Sequence, residues 1–182
     1  MKISGTYSFD APRDRVWRFL IDPHKLSKCI PGVKQFDTIG ENQYSGEIDV
    51  GIAAVKGVYK GTVKLEDMRA PEHYKMVFDG KGKQGFVKGS GTLDLAEENG
   101  KTVLKYAGDA QIGGPLAGVG QRMIEGVAKT MTTQFFTAMG AEIAAAPGEV
   151  VRQGVTINFW RMFLKWLSEL FGGSSGKRTA SS

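Results

Sequence analysis

The 182 residues are 41% hydrophobic and 24% charged, which suits one globular domain with an appendage and excludes a chain disordered throughout. A net charge of +5 admits anionic partners, yet no basic helix and no basic–aromatic platform accompanies it, so nucleic acid is not expected as a partner. The single cysteine, Cys29, excludes an internal disulfide, and the two histidines have no metal-ligand spacing around them, so no metal site is expected.

The first residues, Met1 to Gly5, lack the apolar run of a secretory signal. No stretch offers the roughly 18 uninterrupted apolar residues of a membrane span. A reducing cytoplasm is the expected setting. From Lys2 to Phe9, Ile3, Gly5, Tyr7 and Phe9 alternate with polar neighbours, a half-buried strand. Asp10-Ala11-Pro12, a cap-like acid followed by an early proline, starts a short helix carrying Val16, Trp17, Phe19 and Leu20. Asp22-Pro23 stops it, and a second short helical turn runs from His24 to Cys29.

A long β region follows. Gly40-Glu41-Asn42 turns between Val33–Ile39 and Gln43–Val50. Over Val55 to Leu65, Val55, Tyr59, Val63 and Leu65 face one way and Lys56, Lys60 and Lys64 the other. Tyr74, Met76 and Phe78 continue the alternation. Strands over Gly85–Leu95 and Thr102–Ile112 are joined by Glu98-Asn99-Gly100, a hairpin turn. Gly113-Gly114-Pro115 breaks the sheet, and from Leu116 to about Ala145 the period is helical, with Leu116, Met123, Ile124, Val127, Met131 and Phe135 on one face. Such a helix is about 45 Å long, enough to cross a sheet. The expected fold is α+β, an antiparallel meander curved around its terminal helix.

Twenty-five glycines exceed what turns require. Gly46, Gly57, Gly61, Gly89, Gly91 and Gly108 fall in phase with inward-facing Tyr44, Ile48, Tyr59, Val63, Leu93 and Tyr106. Inward glycines permit strong curvature and a closely seated helix, or they leave the interior unfilled. Both readings stand on pattern alone. On the second reading, an apolar cavity is expected near the first half of the helix, lined by Ile48, Val50, Tyr59, Met76 and Phe78 from the sheet. Leu116, Met123, Val127 and Met131 complete it from the helical side. Methionines there suit a flexible apolar guest. Ile52, within the apolar run Val50 to Val55, and the outward Phe86 are candidates for the lip of an entrance.

Ala146 to Gly154 reads as a linker, and 172–182 as a disordered Gly/Ser/Lys tail. Between them, 155–171 gives a helical wheel with Asn158, Arg161, Lys165, Ser168 and Glu169 on one narrow stripe. Phe159, Trp160, Phe163, Leu164, Trp166, Leu167, Leu170 and Phe171 dominate the rest. A wide aromatic face with a basic stripe suits the bilayer interface. It also suits a groove on a partner, or packing back on its own domain.

Catalytic motifs are absent. Gly80-Lys81-Gly82-Lys83-Gln84-Gly85 fits G-x-G-x-x-G, but a strand follows where dinucleotide binding needs a helix N-terminus. No nucleophile elbow or Walker pattern occurs, and no catalytic residue is assigned.

These residues carry a resemblance. Asp22-Pro23-x-x-Leu26-x-x-Cys29-Ile30-Pro31-Gly32 resembles a signature of the carbon monoxide dehydrogenase G-subunit family. Tyr44-x-Gly46, Gly51-Ile52-Ala53-Ala54-Val55-Lys56-Gly57 and Gly113-Gly114-x-Leu116-Ala117-x-x-Gly120 do so too. The order of elements resembles the wider START-like, or helix-grip, superfamily. The resemblance spans about Met1 to Ala145. It implies a seven-stranded sheet gripping a long helix around an apolar cavity. It also implies a bound lipophilic molecule, with menaquinone the expected cargo, and no covalent cofactor. The implied partners are the membrane surface and a molybdenum hydroxylase of the carbon monoxide dehydrogenase type, with the protein peripheral on the inner face of the cell membrane. Some superfamily relatives are cyclases or aromatases, so an enzyme acting on an apolar aromatic substrate is the competing expectation. An assembly factor holding adventitious lipid is a third.

Overall fold

The computed structural model describes residues 1–52 and 55–145. The expected linker, amphipathic helix and tail, with the docking residues from Phe159 to Phe171, lie outside the described residues.

Alternation and breakers act as expected over most of the chain. Strand β1 (Lys2–Phe9) leads to helices α1 (Arg13–Leu20) and α2 (Pro23–Cys29). Six strands follow: β2 (Val33–Gly40), β3 (Gln43–Val50), β4 (Gly57–Arg69), β5 (His73–Gly82), β6 (Gly85–Glu98) and β7 (Lys101–Gly113). They form one antiparallel sheet in the order β1-β7-β6-β5-β4-β3-β2, a meander closed by the first strand on the last. Asn99 and Gly100 turn between β6 and β7 at φ 53° and 76°, the paired left-handed geometry that favours this dipeptide.

Two local details differ from the sequence reading. Asp10 does not cap α1; Pro12 takes the N-cap position, and Asp10 pairs with Lys101 at 2.7 Å. Asp22 begins α2 as well as following α1. Its carboxylate accepts from the backbone N–H groups of His24 (3.0 Å) and Lys25 (3.2 Å). Partial burial pushes this carboxyl upward, but those bonds and the Lys25 charge outweigh it and hold it below the usual range.

The terminal helix is shorter than its periodicity predicts. Gly114–Val119 is a 3-10 helix, and Gly120 at φ +96° separates it from helix α3 (Gln121–Ala144). Glycine takes that conformation freely and resists α-helix, so the 24-residue α3 starts after it and is about 36 Å long.

Helix α3 lies on the concave face of the sheet, which meets it with two apolar clusters. The larger unites α1 and α2 with the C-terminal half of α3: Val16, Trp17 and Leu20 join Leu93, Leu104, Phe136, Met139 and Ile143. Phe136 stacks on Tyr7 with ring centroids 5.4 Å apart and also touches Phe9 and Tyr106. Cys29 is buried here, where burial and then the Glu142 charge push its thiol up to about 11. The smaller cluster, Val50, Val55, Leu116 and Ile124, sits at the other end of the groove.

Candidate functional site

Around the smaller cluster the interior is hollow. A cavity of about 440 Å³ opens between the sheet and the N-terminal half of α3. It is the size of a small-molecule site. The strand period supplies its walls. Successive inward positions contribute Ile3 from β1, Ile48 and Val50 from β3, Tyr59 and Val63 from β4, Phe78 from β5, Val87 from β6, and Ala110 and Ile112 from β7. Leu116 closes one side from the 3-10 helix, and Ile124, Val127, Ala128 and Met131 form the helical wall.

Glycines make this end hollow in both ways open to them. Gly46, Gly61 and Gly80 lie in the cavity wall and are consecutive cross-strand partners, so three adjoining strands add no side chain there. Curvature is the second effect. A Cβ on Gly61 would meet the Asp79 carbonyl and come within 2.8 Å of the Gly80 Cα, and one on Gly89 would meet the Asp109 carbonyl. The sheet bends too tightly at these points for any other residue.

The wall is apolar almost throughout. Its polar exception, the Tyr59 hydroxyl, donates to the Val55 carbonyl at 2.9 Å, which ties β4 to the segment before it. Burial raises the Tyr59 phenol above its ordinary value. Lys60 and Asp79 border the cavity but carry their charges away from it. The Lys60 ammonium reaches Glu47 at 2.8 Å with a side chain 75% exposed, and Asp79 is exposed. Among the described residues no cluster of three or more His, Cys, Asp or Glu stands close enough to hold a metal. Also among them, no helix is long and apolar enough to cross a membrane. Such a chamber can sequester hydrocarbon.

Seven of the eleven candidate lining residues stand in the wall: Ile48, Val50, Tyr59, Phe78, Leu116, Val127 and Met131. Four stand elsewhere. Met76 faces inward but lies farther along β5 and packs on the larger core. Met123 is 53% exposed, because α3 restarts after Gly120 and its first turn swings this residue off the buried face. Phe86 faces the convex side, where its ring covers Gly113 on the neighbouring strand and the Lys88 ammonium lies 5.7 Å from its centroid. Ile52 packs against the smaller cluster and does not line the cavity.

Sequence reasoning missed Ile3, Val87, Ala110 and Ile112, although their inward phase marks them. Nothing in the local pattern marks Ile30 and Phe36, which also reach the cavity. The segment around Ile30 is held by Gly32, whose carbonyl accepts from the Asp49 N–H at 2.8 Å. Gly32 has φ +72°, and a Cβ there would strike the Asp49 carbonyl.

This architecture has relatives. Residues 5–144 match the family described as the carbon monoxide dehydrogenase G-subunit (CoxG). A conserved protein from Geobacillus kaustophilus, solved as a crystal structure, is 40% identical, with a TM-score of 0.77 over 79% of this chain and 95% of its own. A START superfamily protein from Mycobacterium smegmatis shares the fold at 13% identity and a TM-score of 0.60, over 78% of this chain and 96% of its own. A protein from Thermus thermophilus aligns at 12% identity with a TM-score of 0.60, over 79% and 97% of the two chains. No curated protein matches the chain.

Proposed function

The chain belongs to the carbon monoxide dehydrogenase G-subunit family, and on that premise we propose that it is a non-catalytic carrier of a respiratory quinone, menaquinone before others. The family and the START-like fold are those of a hydrophobic-ligand-binding protein. The observation that carries the proposal is the apolar cavity of about 440 Å³ held open by wall glycines. A soluble oxidoreductase must pass electrons to an acceptor that stays dissolved in the bilayer. A protein that shelters the acceptor's hydrocarbon removes that solubility barrier.

In this reading the partner is a molybdenum hydroxylase of the carbon monoxide dehydrogenase type. The protein rests on the inner face of the cell membrane through the aromatic segment Phe159 to Phe171. Lysines on the convex face favour an acidic partner surface.

The test is mass spectrometry of an organic extract of the purified protein, beside vesicle co-sedimentation of the full chain and of a chain ending at Ala146. Near-stoichiometric menaquinone is expected, with vesicle binding only for the full chain. Mixed host fatty acids that added quinone does not displace would end the quinone reading. Equal vesicle binding by both chains would end the docking role.

A further inference from the structure

We infer that the cavity selects hydrocarbon chain by volume and leaves the polar head of its ligand outside. The inference rests on the carrier reading above and specifies which part of the ligand the protein recognises.

Polar atoms decide the first half. A quinone carbonyl buried without a donor loses its hydrogen bonds to water, and sites that orient a head group supply a donor in return. The Tyr59 hydroxyl is the wall's side-chain exception to an apolar lining, and its proton is already given to the Val55 carbonyl at 2.9 Å. Turning that proton to a ligand would leave the Val55 carbonyl unpaired beside a buried apolar cluster, where Val55 itself is 5% exposed. Lys60 and Thr62 border the cavity from strand positions whose side chains are exposed on the convex face. A saturated or prenyl chain asks for none of these groups.

Volume decides the second half. A cavity of about 440 Å³ lies toward the small end of the range for small-molecule sites, so it takes a few isoprene units and not the whole of a long prenyl chain. The branched methyls of a prenyl chain suit the Met131, Val127 and Ile124 side of the wall, and Met131 can adjust to them. A longer chain keeps its remainder, and the head, outside. The head then stays open to an electron donor while the chain is held.

The experiment titrates the delipidated full chain with a series that keeps the naphthoquinone head and lengthens its prenyl chain unit by unit, starting from tail-less menadione. Geranylgeraniol, a prenyl alcohol without a quinone, is the competitor. Affinity is expected to climb roughly tenfold or more for each of the first few units and then to flatten, whereas an unbroken climb to the longest chain would overturn selection by volume. Geranylgeraniol should displace the long quinones about as well as they displace one another, and Tyr59→Phe should leave the ranking intact. Menadione binding as tightly as the long quinones would overturn head exclusion, and so would a Tyr59→Phe loss confined to quinones. Failure of every prenylated compound to bind is a different result, which removes the carrier reading itself.

Discussion

Two methionines on the same face of one helix show how position sets what a side chain does. Met139 is fully buried in the larger core, where truncation removes its contacts and leaves a void. Met131, two turns earlier, borders a space that is already empty, so fewer contacts depend on it. Met139→Ala is therefore expected to cost about 2–5 kcal/mol in urea unfolding, and Met131→Ala distinctly less. Equal losses would mean that the two ends of the groove are packed alike. The two variants should differ in the opposite sense in ligand binding, where only Met131 touches the cavity. Phe86 teaches the complementary lesson. An outward aromatic beside an apolar run reads as an entrance lip, yet its ring lies over Gly113 and fills the gap left by the missing side chain. Strand parity gave its face, and only cross-strand register gave its task.

At the scale of elements, glycine has opposite meanings in the sheet and in the helix. Gly126 lies in α3, exposed, with open space where a Cβ would go. Gly126→Ala should stabilise by about 0.5–1 kcal/mol, because alanine loses less backbone freedom on folding. Gly61→Ala should destabilise by about 1–3 kcal/mol, since its Cβ meets the backbone of β5, which cannot move aside without flattening the sheet. Thermal melts of the two variants check both signs, and a neutral Gly61→Ala would remove curvature as the reason for glycine there. The meander was legible in the sequence because alternation and turn residues act locally; Asn99-Gly100 and the strands beside it need no distant information. The start of α3 was less so. Leu116 has the right period for the helix, but Gly114, Gly118 and Gly120 weaken it, and the choice between 3-10 and α geometry depends on the contact with the turn between β5 and β6, where the Leu116 N–H reaches the Gln84 carbonyl at 2.6 Å. Of the candidate site, the strand residues in phase near the cavity were visible, while Ile30 and Phe36 depend on how the segment after α2 folds back.

At the scale of the molecule, one helix in one curved sheet divides into a filled end and a hollow end. The filled end has two short helices and an aromatic cluster around Phe136 to hold it together. The hollow end has neither, and its glycines forgo the side chains that would close it. Stability and binding are thus assigned to different residues, which makes them separable. Ala128 faces the cavity with a side chain too small to fill it. Ala128→Phe should place a ring in the vacant volume without displacing the larger core. It should therefore hold or raise the melting temperature of the ligand-free protein, because added apolar burial offsets what repacking costs. The same ring removes room for the guest. A ligand at a hundred times its Kd stabilises the native state by about 2.7 kcal/mol, and only a protein that binds it gains this. Melts with and without added prenyl quinone should show a shift in the native chain and none in Ala128→Phe. A shift retained in Ala128→Phe would place binding somewhere other than this cavity. A variant melting well below the native chain would show instead that the hollow end is not free space but part of the packing.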